Sequence, residues 1–271
     1  MSTLGGDQLS EKSLTIAKDS RISALKMVSS AKAAHIGSSL SCIDILSVLY
    51  AEVADIRGSE QDRDFVIVSK GHAAAGTYSV LANSGHMDIG LLDTFGSNGS
   101  ELGGHVTHNN NDLITLSTGS LGHGLPYGIG IAISKKKRSL GGRVFVVMSD
   151  GECDEGTTWE SALLAYQFNL DNLFVVIDRN GIQSISNTED TLQLEPLAEK
   201  WLAFNWEVET IDGHSHSQIE NAFKVSNRPK CIIANTTKGK GVSFMEDTVL
   251  WHYRPPSDLE LEDALKEITG K

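Results

Sequence analysis

Apolar and polar positions along this chain follow two periods, one typical of amphipathic helices and one typical of buried strands. Residues 11–34 and 44–54 carry the helical pattern, with a predicted break at AHIGSSLS, residues 34–41. Short apolar runs predict strands at 64–69, 143–148, 173–178, 206–211 and 229–236. Helices are predicted between these runs, starting at KGHAAAG and then at 122–134, 156–169, 194–203 and 216–225.

This alternation of strands and helices predicts an α/β fold, in which a mostly parallel sheet is covered by helices on both faces. No internal repeat or shift in composition divides the chain, so residues 1–271 are interpreted as one domain. Residues 85–120 are rich in Gly, Asn, Ser and His and show little periodicity. We interpret this segment as a long loop of the kind that often binds a ligand.

Composition narrows the class of protein. With 40% hydrophobic residues and a net charge of -12, the chain is typical of a globular protein that avoids nucleic acids and anionic membranes. The basic run at 135–138 is interpreted as a solvated connection.

Cys42, Cys153 and Cys231 form no CxxC pair, so neither a disulfide framework nor a zinc site is predicted. No secretion signal is recognised and no apolar run approaches the ~18 residues of a membrane span, so we expect a cytoplasmic protein.

Ligands of open α/β sheets bind beyond the carboxyl ends of the strands. The segments that follow the predicted strands read SKGH, SDGECDEG, RNGIQ, DGHSH and TKGKG. Four of them combine glycine with a side chain able to bind a ligand, and RNGIQ adds an amide. The sequence therefore predicts a ligand site at this edge of the sheet.

Asp150 and Asn180 each lie just past a predicted strand, with one helix between them. Adjacent parallel strands would bring the two side chains together, where they could hold one cation. Two protein oxygens suit Mg²⁺, which takes further ligands from water and from phosphates. Gly151 allows close backbone approach, and a helix beginning near Gly156 could bind a diphosphate at its N-terminus. The alternative is that both polar residues form only turns or helix caps.

The glycines of GSLGHGLPYGIGIA, residues 119–132, allow two interpretations. Gly122, Gly124 and Gly128 form a GxGxxxG that resembles a dinucleotide-binding fingerprint. However, the short polar segment ITLST precedes it, where that fingerprint requires a first strand. The alternative is a glycine-rich helix packed closely against the sheet.

Several histidines lie beside glycine or in predicted loops, namely His35, His72, His105 and His252. Each taken alone is typical of a hydrogen-bonded loop residue. If the four met in one cleft, they would suit chemistry that moves protons to and from hydroxyl groups near neutral pH.

The stretch SDGECDEGTTWESALLAYQFNLDNLFVVIDRNGIQ resembles the thiamine diphosphate signature, GDG followed about thirty residues later by asparagine. AAHIGSSLS, VSKGHAAAGTYSVLA, GGHV, STGSLGHGLPYGIGIA, IDGHSH and TKGKGVSFMEDTVLWH accompany it, in the order seen in transketolases. The match extends from about residue 20 to residue 256. The chain is thereby identified as similar to the N-terminal, thiamine diphosphate-binding part of the transketolase family.

The resemblance implies that this chain is one half of a split transketolase, because a full-length member continues into pyrimidine-binding and C-terminal domains beyond the position of Lys271. It implies transfer of a two-carbon ketol unit from a ketose, or its phosphate, to an aldose. The implied cofactors are thiamine diphosphate and Mg²⁺, or else Ca²⁺ or Mn²⁺. A C-terminal partner subunit is implied, in an α2β2 assembly, because that half carries the family's activating glutamate.

Individual roles follow from the same resemblance. The implied metal ligands are Asp150, Asn180 and the carbonyl of Ile182. The implied cofactor-binding residues are these three together with His72, Gly119, Ser120, Leu121, Gly151, Glu152, Lys238 and His252. The implied catalytic residues are His35, His72, His105, His252 and Glu155.

Within this set, Glu155 matches the carboxylate that reaches across the subunit interface toward the activating glutamate. His35 and His105 match histidines that bond sugar hydroxyls and shuttle protons, and Lys238 is a candidate for a phosphate contact. Glu152 is grouped with the cofactor-binding residues, although its side chain, like that of Asp154, is expected to be exposed.

The chain departs from the family pattern at Ser149, which replaces the first glycine of the signature, and at Ser120, which replaces a common proline. We expect the loop to accept Ser149 if its φ is negative. Two alternatives remain open. One is the α subunit of a 2-oxo acid dehydrogenase, which shares the signature; the other is a non-catalytic module that retains the fold.

Overall fold

The computed structural model of this chain describes residues 5–59, 61–108 and 112–270. The strands are β1 (Phe65–Val68), β2 (Val144–Ser149), β3 (Leu173–Arg179), β4 (Glu207–Asp212) and β5 (Lys230–Asn235). The helices are α1 (Gly5–Ala31), α2 (Ile36–Val48), α3 (Ala74–Asn83), α4 (Gly124–Lys137), α5 (Gly156–Gln167), α6 (Thr188–Thr191), α7 (Leu197–Ala203), α8 (His216–Ala222) and α9 (Asp258–Thr269).

The strands form a five-stranded sheet in the order β1-β2-β3-β5-β4, and every pairing is parallel. Ser149 at the end of β2 pairs with Asp178 of β3, and Arg179 pairs with Asn235 of β5. The loops after these three strands therefore leave the same edge of the sheet side by side. The predicted α/β fold and the adjacency of Asp150 and Asn180 are confirmed.

Helices cover both faces of this sheet. On one face Phe145 and Val147 of β2 share a hydrophobic cluster with α1, α2 and α3. On the other face Val144 and Val146 pack with residues of α4, α5 and α7. Neighbouring residues of one buried strand thus serve opposite cores, which explains why β2 is apolar throughout.

The predicted break at 34–41 is wrong beyond His35, because α2 already begins at Ile36. Every residue of α2 is buried, so small and hydroxyl-bearing side chains are accommodated inside the core. The expectation that no apolar stretch approaches the length of a membrane span is also wrong. Among the described residues, Ile36–Val53 is long and apolar enough to cross a bilayer, but 83% of it is buried within the fold. This stretch therefore serves as a core helix.

The helices α6 and α9 and the position of Lys135 also differ from prediction. The C-terminal helix α9 was not predicted, although Ser257 and Glu260 form a capping box in which each side chain bonds the other's backbone N–H. Within the basic run, Lys135 is 3% exposed and donates to the carbonyls of Gln61 and Gly141, so it is not solvated. Its ammonium joins the loops that precede β1 and β2.

The predicted long loop at 85–120 is confirmed over its described residues, where one short 3-10 turn, Ile89–Thr94, is the regular element. It is held to the fold near His105. The Val106 N–H donates to the Gly71 carbonyl at 2.9 Å, and the Tyr78 hydroxyl donates to the His105 carbonyl at 3.0 Å. These bonds place His105 beside the segment that carries His72.

Candidate active site

A cavity opens at the edge of the sheet where β2, β3 and β5 end. It brings together eight of the predicted site residues: His72, Leu121, Asp150, Gly151, Asn180, Ile182, Lys238 and His252. The structure therefore has a cavity at the place where the sequence predicted a ligand site, beyond the carboxyl ends of these strands.

Asp150 is a buried carboxylate, 1% exposed, at the floor of this cavity. Its Oδ2 accepts from the Gly181 N–H at 2.7 Å and from Arg179 Nη1 at 3.2 Å, and its Oδ1 accepts from the Gly151 N–H at 2.9 Å. Burial, helped by the negative charge of Asp178, raises the pKa of Asp150. A positive charge bound in the cavity would lower the energy of the ionised form.

Asn180 is oriented by its neighbours. Its Nδ2 donates to Asp178 Oδ2 at 3.3 Å, and its Oδ1 accepts from the Ile182 N–H at 3.1 Å. The second bond is an Asx turn, so the predicted alternative of a turn-forming role is present. The side chain nevertheless shares the cavity with Asp150, and an amide oxygen retains a second lone pair for a further ligand.

Lys238 places a positive charge against the carbonyl predicted to bind the metal. The ammonium is 1% exposed and donates to the carbonyls of Ile182, at 3.0 Å, and Gln183, at 3.3 Å. It also lies 3.1 Å from His252 Nδ1. Burial, together with the charge of Lys70, lowers the pKa of Lys238 to about 8. The amine is therefore still mostly protonated at pH 7, and an anion that accepts from it would replace one of these three acceptors, which now take all three N–H groups.

The residues of this cavity fit a magnesium diphosphate. In the described part of the chain, no group of three or more His, Cys, Asp or Glu residues is placed so that it could hold a metal ion. The cavity instead offers one carboxylate, one amide oxygen and one backbone carbonyl, which are hard ligands of the kind that Mg²⁺ shares with phosphate oxygens. The Ile182 carbonyl already accepts from Lys238, so a metal ion would bind the second lone pair of this oxygen.

The four predicted histidines converge. The ring of His35 lies 5.7 Å from that of His72, 5.4 Å from that of His105 and 4.8 Å from that of His252, measured between centroids. The rings of His72 and His252 are 5.8 Å apart. His35 reaches this position with φ 73°, a left-handed conformation that histidine tolerates better than most residues. The cluster lies next to the cavity, since His72 and His252 belong to both.

Three histidines of this cluster are held neutral. Burial, with the nearby charges of His105 and Lys238, lowers the pKa of His35 to about 4. Burial and Lys238 lower the pKa of His252 to about 3, and desolvation lowers the pKa of His72 well below its usual value. Each ring therefore presents one N–H donor and one acceptor nitrogen at pH 7. Because the Lys238 ammonium donates to His252 Nδ1, the ring proton of His252 is on Nε2.

These depressed pKa values predict that the cofactor-free protein loses stability as the pH falls below 6.5. The unfolded chain binds protons at these histidines near pH 6.5, whereas folded His35 stays neutral until about pH 4. Unfolding therefore takes up protons in this window, and each such histidine adds a slope approaching about 1.4 kcal/mol per pH unit. Denaturant titration from pH 7 to pH 4 measures the free energy of unfolding.

The matched variant is His35→Asn, since asparagine also accepts a positive φ. Its free energy of unfolding should fall less steeply with decreasing pH than that of the wild type over the same window. Equal slopes in the two proteins would contradict the neutral state of His35.

Glu152 is not exposed, so that expectation is wrong. The side chain is fully buried, and its carboxylate accepts from the backbone N–H groups of Gly122, at 3.0 Å, and Ser149, at 2.8 Å, and from the Ser69 hydroxyl. These bonds fasten the loops after β1 and before α4 to the loop after β2. Glu152 does not line the cavity, so its predicted contact with the cofactor remains a prediction.

The remaining predicted residues near the loop after β2 differ in how exposed they are. Ser149 has φ -84°, so the loop accepts serine where the signature has glycine. Asp154 is half-buried and accepts from Gln183 Nε2, which corrects its predicted exposure. Glu155 is exposed at the start of α5, available to a partner. Gly119 and Ser120 are exposed outside the cavity wall.

A buried ion pair below the site was missed by sequence reasoning. Lys70 and Asp178 are both fully buried and bonded to each other. Although burial opposes ionisation, Asp178 raises the pKa of Lys70, and Lys70 lowers the pKa of Asp178. Because Asp178 also accepts from Asn180, this pair orients a predicted metal ligand. The lysine of SKGH at a strand end was the available signal.

The glycines of GxGxxxG serve packing. A Cβ on Gly128 would come within 2.7 Å of Val146 Cγ2, and one on Gly124 would come within 2.4 Å of the Ser69 side chain. The interpretation as a helix packed closely on the sheet is confirmed.

Comparison with known proteins identifies the family. The model of the family described as "Transketolase, thiamine diphosphate binding domain" matches residues 12–270. A curated relative from Phocaeicola vulgatus, named as one of the subunits of apulose-4-phosphate transketolase, is 37% identical over 254 residues, covering 91% of this chain and 90% of the relative. A 6-deoxy-6-sulfo-D-fructose transketolase subunit from Clostridium sp. is 35% identical, with 86% and 88% covered.

The fold agrees with that of a solved transketolase from Campylobacter jejuni, with a TM-score of 0.86 and 27% identity. The alignment covers 97% of this chain but 43% of that one, so the chain spans less than half the length of this full transketolase. The chain belongs to the transketolase family and corresponds to its thiamine diphosphate-binding domain.

Proposed function

We propose that this chain is the N-terminal subunit of a split transketolase. With a partner, it would bind thiamine diphosphate and a divalent cation and transfer a two-carbon ketol unit from a ketose to an aldose. The observation that carries this proposal is the meeting of three oxygen ligands, a buried ammonium and four histidines around one cavity.

Each group of the cavity has a part in binding. Asp150, Asn180 and the Ile182 carbonyl would hold Mg²⁺, with Ca²⁺ or Mn²⁺ as substitutes, and Lys238 would meet the diphosphate. Thiamine diphosphate supplies the carbanion chemistry of ketol transfer. Gly151 lies in the cavity wall without a side chain, which favours close approach of its backbone N–H to a phosphate oxygen.

The histidines would handle the sugar. A neutral imidazole can donate its N–H to an oxygen that develops negative charge and can accept a hydroxyl proton at its other nitrogen. His35 and His105 are the two histidines of the cluster that do not line the cavity shared by His72 and His252. We assign proton transfer at the sugar hydroxyls to His35 and His105, and positioning near the diphosphate to His72 and His252.

The lengths of the relatives support a partner subunit. The chain covers 90% of a relative that is named as a single subunit of its enzyme but 43% of a full transketolase. We propose that a C-terminal subunit supplies the pyrimidine-binding half and that the two form an α2β2 assembly. Exposed Glu155 is the residue of this chain that would meet the partner's activating glutamate. Three free, buried cysteines agree with a cytoplasmic location.

The donor is proposed to be a ketose with a terminal anionic group. The two relatives described above are named for a ketose phosphate and for a sulfonated ketose, respectively. A site for such a group is not among the residues of this cavity, so we assign its recognition mainly to the partner.

The test is a product assay on the assembled subunits with thiamine diphosphate and Mg²⁺. Apulose 4-phosphate, 6-deoxy-6-sulfo-D-fructose and common ketose phosphates serve as donors, each with an aldose phosphate acceptor. With at least one donor, we expect the aldose acceptor to become a ketose two carbons longer and the donor to be released as an aldose two carbons shorter. Release of CO₂ from a 2-oxo acid would favour the dehydrogenase alternative, and no turnover with any donor would favour a non-catalytic module.

A further inference from the structure

The loop that carries Lys238 is fastened on both sides of this residue by side chains outside the cavity. Before it, the Thr237 N–H donates to His214 Nε2 at 2.8 Å. After it, the Lys240 carbonyl accepts from Arg21 Nε at 3.1 Å. His214 belongs to the segment DGHSH that follows β4, and Arg21 belongs to α1. Neither side chain has a part in the site described above.

Arg21 and His214 both bond the same buried carboxylate, that of Asp44 in α2. Arg21 donates to it through Nη1 at 3.0 Å and Nη2 at 2.7 Å, and His214 Nδ1 lies 2.7 Å from its Oδ2. His216 Nε2 lies 3.2 Å from its Oδ1. Burial acts to raise the pKa of Asp44, but hydrogen bonds from the two histidines and the charge of Arg21 hold this pKa well below its usual range. Asp44 is therefore ionised at neutral pH and provides the negative partner for these side chains.

The hydrogen bonds of His214 have a fixed direction. A backbone N–H can only donate, so His214 Nε2 must be an unprotonated acceptor for Thr237. The single ring proton then lies on Nδ1, where it is donated to Asp44. A continuous chain of bonds thus runs from the core helix α2 through His214 to the residue next to Lys238.

The loop between these two fastenings is tightly bent. Gly239 has φ 81°, and a Cβ there would come within 2.2 Å of the Met245 carbonyl oxygen. The Gly239 N–H also donates to the Gly37 carbonyl at 3.0 Å. With this geometry, displacement of Thr237 or Lys240 would move the backbone from which the Lys238 side chain reaches the cavity.

We propose that Asp44, His214 and Arg21 form a clamp that positions Lys238 in the cofactor cavity. His214 and Arg21 are positioning residues, since they act through the loop and touch no reacting group. The part of this inference that concerns the cofactor rests on the proposed function, in which Lys238 meets the diphosphate. The clamp itself is a property of the folded chain and can be tested without cofactor.

Two substitutions of His214 separate its bond to Asp44 from its bond to Thr237. The amide of asparagine occupies about the place of His214 Nδ1, so His214→Asn keeps a donor for Asp44 and loses the acceptor for Thr237. The amide of glutamine occupies about the place of Nε2, so His214→Gln keeps that acceptor and loses the bond to Asp44. His216→Asn is the control, because His216 bonds Asp44 and Ser13 but not the loop.

We expect His214→Asn to raise the dissociation constant for thiamine diphosphate with Mg²⁺ about tenfold in the assembled enzyme, within the range typical of coupled sites. His214→Gln, which keeps the bond to Thr237 but loses the anchor on Asp44, should raise it by a smaller factor than His214→Asn, and His216→Asn should change it less than about threefold. In a Lys238→Gln background, His214→Asn should add no further loss, because it acts through Lys238. At saturating cofactor, kcat of His214→Asn should match that of the wild type.

Hydrogen exchange supplies a readout that needs no cofactor. The backbone amides of 236–242 should exchange faster in His214→Asn than in the wild type, while His216→Asn should match the wild type. Equal exchange in all three proteins overturns the clamp, and so does a loss of affinity that persists in full in the Lys238→Gln background. If the wild type binds no cofactor, the proposed function fails and exchange alone decides the clamp.

Discussion

Replacing Asp150 with asparagine is expected to weaken the binding of thiamine diphosphate with Mg²⁺ by roughly a hundredfold or more, because a buried charge–charge contact is lost. The carboxylate is 1% exposed and shares its cavity with Asn180 and the Ile182 carbonyl. Its charge is the one full negative charge among the predicted metal ligands. Calorimetric titration of cofactor and Mg²⁺ into the assembled subunits measures the change.

The same variant should fold at least as stably as the wild type. Burial and Asp178 raise the pKa of Asp150, which means that its charge disfavours the cofactor-free fold at neutral pH. Asparagine removes this repulsion and can still accept from the Gly181 N–H. Arg179 keeps its contacts with Glu189 and Glu195. We therefore expect an unchanged or higher unfolding temperature together with lost binding.

Asp171→Asn is the matched control, since Asp171 is a partly exposed carboxylate paired with Lys136 away from the cavity. It should leave cofactor binding unchanged and alter stability little. Normal affinity in Asp150→Asn would refute the metal role of Asp150. A large loss of stability would instead show that the carboxylate is needed for the fold itself.

Replacing His105 with alanine is expected to lower turnover by about 10²- to 10⁴-fold, the usual contribution of a proton-transferring group. Cofactor affinity should change little. His105 is on the rim of the histidine cluster, 5.4 Å from the ring of His35, and does not line the cofactor cavity. Its backbone stays anchored through the Tyr78 hydroxyl, so removal of the ring should not move the loop.

The measurement is steady-state kinetics together with calorimetric cofactor titration in the assembled enzyme. His86→Ala is the control, since His86 bonds the Tyr50 carbonyl away from the cluster and should leave turnover unchanged. If turnover and cofactor affinity fall by equal factors in His105→Ala, its assignment to sugar chemistry fails.

Features set by a local pattern could be predicted from the sequence. Apolar runs predicted β1, β2, β3 and β5 because buried parallel strands are apolar on both faces. The edge strand β4 was also predicted, although it is largely part-exposed and carries Glu207, Glu209 and Asp212. The placement of Asp150 and Asn180 past neighbouring strands predicted their meeting. By contrast, α2 begins eight residues before the predicted 44, because its serines and its glycine lie in the interior and give no amphipathic signal.

Features set by distant partners could not be predicted in this way. Glu152 is buried because Ser69, 83 residues away, and the Gly122 N–H surround its carboxylate. Lys70 meets Asp178 across 108 residues. The four histidines come from separate parts of the chain, so their convergence required either the fold or the family resemblance. Charges whose partners lie elsewhere carry no local sign of burial.

The most direct test of the account is a calorimetric titration of thiamine diphosphate with Mg²⁺ into this chain alone and into its mixture with a candidate C-terminal subunit. The account predicts weak binding alone, strong binding in the mixture and loss of both in Asp150→Asn. No binding under either condition would contradict the central claim, because it would mean that the fold persists without its cofactor chemistry.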